Sequence, residues 1–220
     1  HRTSTLGAFA GRSMSNRSYL CCSPLPGIYP SFSVDYDSDV QTLANDVYCI
    51  PLLWPALFTP EDFQRADFEV DGEVVIGQAP SAPKQKVLET LRRRRTGVVQ
   101  AFKGIGDLAP YVNMLERVVE DAPYEFISIE MDEIAALNDP EEDFYEAFER
   151  LLSGLDAPDE DVCEQLIALA AMEHSWPIPS VRLHLDSLEG SEDDYWNHCR
   201  VLGAGSDVSG MGRPVPWETA

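Results

Sequence analysis

Apolar positions along this chain follow two rhythms, and each predicts its own element. Alternation by two, rich in β-formers, marks 17–22 and above all 124–130, where Tyr124, Phe126 and Ser128 alternate with Glu125, Ile127 and Ile129. The stretch 68–76 alternates around Asp71-Gly72, a hairpin signal. Spacing by three and four marks helices over 84–102, 108–120, 139–152 and 158–172. Their apolar stripes are Val87, Leu88, Leu91, Val98, Val99 and Phe102; Leu108, Val112, Leu115 and Val119; Phe144, Phe148 and Leu151 or Leu152; and Val162, Leu166, Leu169 and Ala170.

Punctuation between these runs agrees with them. Pro24, Pro26, Gly27 and Pro30 close the first strand in a loop that cannot be helical. Gly104 and Gly106 end one helix, and Gly154 ends another. Asp139-Pro140-Glu141-Glu142 and Ala157-Pro158-Asp159-Glu160-Asp161 have the proline and acids of a helix start. Thr59-Pro60-Glu61-Asp62 has the same form, so a short helix is expected after it. The apolar run 50–58 reads as a helix with Pro51 in its first turn, 35–46 as a polar loop or short helix, 79–83 as a break and 131–137 as a short helix or turn. After a break at Trp176-Pro177-Ile178-Pro179, 181–185 reads as a last strand, and Ser191-Glu192-Asp193-Asp194 caps a last short helix. The expectation is one α+β domain over 14–220, with a small, mostly antiparallel sheet covered by about four to six helices. Residues 1–13 are small and polar without periodicity and are expected to lie outside the fold, with Met14 as the natural start.

Charge changes the picture most. His1 to Gly106 carries 11 Lys/Arg and 11 Asp/Glu, whereas Asp107 to Ala220 carries 5 and 27, a formal charge of 5 − 27 = −22. A salt-adapted chain would spread its acids evenly, and here the first half is neutral. Such a field repels nucleic acid and attracts basic surfaces. The acids Glu142, Glu146, Glu149, Asp159, Glu160 and Asp161 are the expected interaction surface for a basic protein partner. Acids at a helix start also complement the helix dipole, by about 0.3–1 kcal/mol each. That accounts for their positions but not for the scarcity of compensating cations across the whole half.

The remaining motifs are weaker. Arg92-Arg93-Arg94-Arg95 sweeps most of a helical turn, so its members cannot face one ligand together, and pairing with the chain's own acids is expected. Asp194 and His198, at i and i+4, are the weak metal or acid–base candidates; His174 and His184 are isolated. Five cysteines with irregular spacing make no disulfide framework, and nothing in the spacing selects Cys22 and His198 as a nucleophile–base pair. Gly104-x-Gly106 lacks the strand and third glycine of a dinucleotide loop, and no Gly-x-Ser-x-Gly or His-Glu-x-x-His occurs. No catalytic residue or cofactor is assigned. No apolar run approaches the roughly 20 residues that span a bilayer, so the chain is read as cytoplasmic without a membrane partner.

Met14-Ser15-Asn16-Arg17-Ser18-Tyr19-Leu20 resembles the opening of an uncharacterised bacterial protein family whose members begin Met-(Ala/Ser)-Asn-Arg-Ser-Tyr-Leu-Tyr, with Cys21 where a Tyr is usual. The run from Phe126 through Glu130 to Asp132 is similar to a later family segment. The resemblance implies a start at Met14 and no activity. Small acidic members of such families are associated with immunity or accessory roles. The expected function is therefore an acidic binding protein, with an immunity-type neutraliser of a toxin as its concrete form. The alternative is a small enzyme or metal-dependent hydrolase using Asp194 and His198.

Overall fold

A computed structural model describes residues 16–31, 39–103, 107–170 and 200–203. In chain order the strands and helices are β1 (Arg17–Ser23), β2 (Gln41–Val47), β3 (Phe63–Val70), β4 (Glu73–Pro83), α1 (Lys84–Ala101), α2 (Ala109–Glu120), β5 (Phe126–Glu130), α3 (Asp132–Ala135), α4 (Glu141–Gly154) and α5 (Glu160–Ala170). The strands form a five-stranded antiparallel sheet in the order β2-β1-β5-β4-β3. This is the expected α+β arrangement. The leader 1–13, the strand 181–185 and the helix start at 191–194 lie outside the described residues.

Register explains the two faces of the sheet. Leu20 lies opposite Ile129, Cys22 opposite Ile127, and Ala82 opposite Ile127. These side chains share one face and belong to the same buried cluster as Leu91 and Val98 of α1, Leu115 and Val119 of α2, and Phe144 and Phe148 of α4. The other face pairs Tyr19 with Glu130, and Ser128 with both Cys21 and Ser81. It is polar, yet Cys21, Ser81, Ser128 and Glu130 are all buried.

Four expectations differ. The polar stretch read as loop or helix contains β2, an edge strand paired to β1 from Arg17↔Val47 to Cys22↔Gln41. Its Asn and Asp are poor strand formers, and the ladder with β1 outweighs that preference. The apolar run 50–58 is not an α-helix but two turns of chain containing a short 3-10 segment, Trp54–Leu57. Its backbone donors are claimed from afar: Ile50 N–H by Leu169 C=O at 3.1 Å, Leu52 by Arg200 at 2.8 Å and Leu53 by Val201 at 3.1 Å. The Trp54 indole N–H reaches Leu202 C=O at 2.8 Å. After Thr59 the helix signal yields only a 3-10 turn, Pro60–Asp62, and β3 begins at once. The hairpin at Asp71-Gly72 is present but longer than its sequence signal, because β4 runs through the expected break to Pro83. Pro80 closes the ladder with β3, just before the strand changes partner at Ser81, and Pro83 closes the ladder with β5, so neither interrupts a ladder mid-way.

The segment opening β1 fastens the strand to its neighbours. The Asn16 amide donates to Glu133 C=O at 2.7 Å, and the Arg17 N–H to Glu133 Oε2 at 2.9 Å. Ser18 Oγ donates to Cys49 C=O at 2.6 Å.

Candidate interaction surface

α4 and α5 form from the amphipathic pattern the sequence shows. Phe144, Tyr145, Ala147, Phe148, Leu151 and Leu152 of α4 are buried, as are Leu166, Ala168, Leu169 and Ala170 of α5. α4 starts at Glu141, with Pro140 as N-cap, two residues after the start expected at 139. Asp159 Oδ1 accepts the Val162 N–H at 2.9 Å and so caps the start of α5. The helices meet where Gly154 lies against Val162.

The six expected interaction residues, Glu142, Glu146, Glu149, Asp159, Glu160 and Asp161, are all exposed. Glu142 has a second task. It accepts from Gln78 Nε2 at 2.9 Å and pairs with Arg65 at 3.3 Å, tying the start of α4 to the β3–β4 hairpin. Glu146 pairs with Arg150 one turn on, at 3.6 Å. Glu146, Glu149, Arg150 and Ser153 line one shallow depression of about 320 Å³.

The arginine run of α1 is spent inside the molecule. Arg92 pairs with Glu116 and Glu120 of α2, both at 2.5 Å, and Arg95 with Glu116 at 3.7 Å. Arg93 and Arg94 turn to Asp156, at 3.1 and 2.7 Å. Arg94 is buried, and its fork also donates to Phe58 C=O and, at 3.1 Å, to Leu152 C=O. It joins α1 to the apolar loop and to the end of α4. Lys86 pairs with buried Asp62 at 2.6 Å. These cations thus neutralise α2, the turn after α4 and the loop before β3. The α4–α5 stretch from Asp139 to Glu164 holds 11 acids and one arginine, Arg150, a formal charge of 1 − 11 = −10.

Sequence reasoning missed a buried acidic cluster at the end of β5. The Asp132 N–H donates to Glu130 Oε1 at 3.1 Å, and Tyr145 Oη donates to Asp132 Oδ1 at 3.3 Å. Glu130 Oε2 and Asp132 Oδ2 are buried without a hydrogen-bond partner. Burial, and then the charges of Asp132 and Glu133, push the Glu130 carboxyl well above the usual range. Burial raises Asp132 to about 6. Alternation in β5 was the available signal: Ser128 and Glu130 fall on one face, but sequence cannot say that this face is covered.

A groove of about 710 Å³ lies between α1 and the end of α4, lined by Lys86, Glu89, Arg93, Asp156 and the hydroxyls of Thr59 and Thr90. Its cations are those already paired to Asp62 and Asp156. Cys21 and Cys22 are buried, and burial pushes both thiols up, away from a nucleophile's range. Asp194 and His198 lie outside the described residues. Among the described residues no group of three or more His, Cys, Asp or Glu is placed to hold a metal ion, and no helix is long and apolar enough to cross a membrane. Comparison with protein-family models, curated proteins and solved structures finds no match to this chain.

Proposed function

We propose that this protein is a binding protein whose α4–α5 acids dock on a basic protein, and that an immunity-type neutraliser of a toxin is its concrete form. The observation that supports this reading is the local charge imbalance. The chain's arginine cluster is committed to α2 and Asp156, while α4 and α5 themselves carry eight acids, Glu141, Glu142, Asp143, Glu146, Glu149, Glu160, Asp161 and Glu164, against one arginine, Arg150. Helix-start preference accounts for Asp159, which caps α5. It does not account for Glu146 or Glu149, which lie beyond the first turn of α4. A field of this sign steers a cationic partner and raises association rates by roughly 10–10³-fold, with steep salt dependence.

The test is co-purification from the native host at low and high salt. The comparison variant is Glu146→Gln/Glu149→Gln/Asp161→Asn, which leaves Glu142 in place because it holds Arg65 and Gln78. The expected result is a basic protein retained by the wild type at low salt, released by high salt and lost from the variant. Recovery of the same proteins by both chains, or without dependence on salt, removes the reading in favour of plain solubility.

A further inference from the structure

The β3–β4 hairpin has two unlike faces. On one, Phe68 and Pro30 close over Gly77 so tightly that a Cβ there would lie 2.8 and 2.7 Å from them. On the other, register places Arg65 opposite Gln78, Asp67 opposite Ile76, and Glu69 opposite Val74. Val74 is 69% exposed and Ile76 41%, two of the three large exposed apolar side chains among the described residues. They stand two residues apart on one strand and so point the same way. Asp67 and Glu69 flank them from β3, and both are exposed. At the base of this face Arg65 and Gln78 hold Glu142, the first-turn acid of α4.

We infer that Val74 and Ile76 form the apolar anchor of the docking surface, receiving an apolar side chain that the basic partner carries between lysines or arginines. This rests on the docking reading of α4 and α5 and says what chemistry the partner must have. Interfaces place an apolar centre inside a polar rim, and here the rim is acidic: Asp67 and Glu69 beside the pair, Glu142 and the α4 acids beyond. Charge also selects the occupant. A second copy of this chain would bring Asp67 and Glu69 against their own kind in a molecule of formal charge −22. A cationic segment meets Asp67 and Glu69 beside the pair and, past Arg65, which pairs with Glu142, the remaining acids of α4.

Two peptides make the test: a lysine-rich peptide carrying two leucines, and its counterpart with serines in their place. Titration by fluorescence anisotropy at low salt should show the wild type binding the leucine peptide about tenfold tighter. Val74→Ser/Ile76→Ser, and Val74→Ser alone to a lesser degree, should erase that preference. Both should leave the serine peptide's affinity and the melting temperature unchanged. Glu146→Gln/Glu149→Gln/Asp161→Asn should weaken both peptides alike. Equal binding of the two peptides by the wild type, or a leucine preference that survives in the serine variants, overturns the anchor and leaves the acidic reading standing. Absence of salt-dependent binding to either peptide overturns the acidic reading itself. Concentration-dependent dimers that vanish with Val74→Ser/Ile76→Ser would assign the face to a second copy and overturn the inference.

Discussion

Two residues show how burial changes what a side chain does. Arg94 is one of four consecutive arginines, yet it alone is sealed inside, with a fork that serves Asp156 and two backbone carbonyls. Removing it strands Phe58 C=O and Leu152 C=O away from water. Arg94→Leu should therefore lose about 3 kcal/mol of unfolding free energy in denaturant titrations. Arg94→Lys should recover little, because one ammonium cannot reach three acceptors in the geometry of a planar fork. Arg93→Lys, at an exposed pair, should change stability by less than about 1 kcal/mol.

Asp132 gives a pH dependence of definite sign. Its carboxyl titrates near 3.9 when unfolded and at about 6 in the fold, chiefly through burial. Between those values the folded chain holds the extra proton. The stability this contributes is present below pH 4 and is lost as pH rises through 6. Glu130, beside it, is raised also and acts in the same direction. Asp156 acts the other way, since the hydrogen bond from Arg94 lowers it, and its contribution is lost only at more acid pH. The melting temperature should rise as pH falls from 8 towards 5. Asp132→Asn should flatten that rise, and an unchanged slope in the variant would show that the step belongs elsewhere.

Elements meet here through small contacts that admit few alternatives. Gly154, the last residue of α4, lies so close to Val162 that any Cβ would overlap the Val162 side chain. Gly154→Ala should cost about 1–3 kcal/mol by overpacking, despite alanine's better helix propensity. Val162→Ala in the same chain should return part of that loss. Thermal melts of the two single variants and the double would show the coupling. The outer turns of α4 behave differently. Glu146→Gln/Glu149→Gln removes like charges from one helix at the loss of one exposed pair, Glu146–Arg150, so the melting temperature should hold or rise slightly.

On the scale of the whole molecule, a formal charge of −22 opposes compaction. Screening by salt relieves this repulsion, and it also weakens exposed pairs such as Arg92 with Glu116 and Glu120. Repulsion is the larger effect, because 38 acids face only 16 cations. Moderate neutral salt should therefore raise the melting temperature while it releases a basic partner. Stability and binding would then move in opposite directions along one salt titration, which separates docking from general unfolding.

The sequence by itself determined those parts that depend on local pattern. α1, α2, α4 and α5 follow from apolar spacing, β1 and β5 from alternation, and the β3–β4 turn from Asp71-Gly72, each within a few residues of the observed bounds. It also placed six acids on exposed positions of α4 and α5 and expected the arginine run to meet the chain's own acids, as Arg92 to Arg95 do. Tertiary structure decided what depends on a distant partner. β2 exists because β1 supplies a ladder that Asn45 and Asp46 would not form alone. The run 50–58 forms a 3-10 turn in place of a helix, and its first donors are bound by backbone acceptors at Leu169, Arg200 and Val201. Burial of Glu130, and of Asp132 Oδ2, follows from cover over the second face of the sheet, which alternation in β5 does not encode. The alternation over 68–76 does not say which face of the hairpin is covered, and the fold leaves Val74 and Ile76 exposed. Local spacing is written in consecutive residues, whereas burial and hydrogen-bond partnership are settled by segments that are distant along the chain and meet only in the fold.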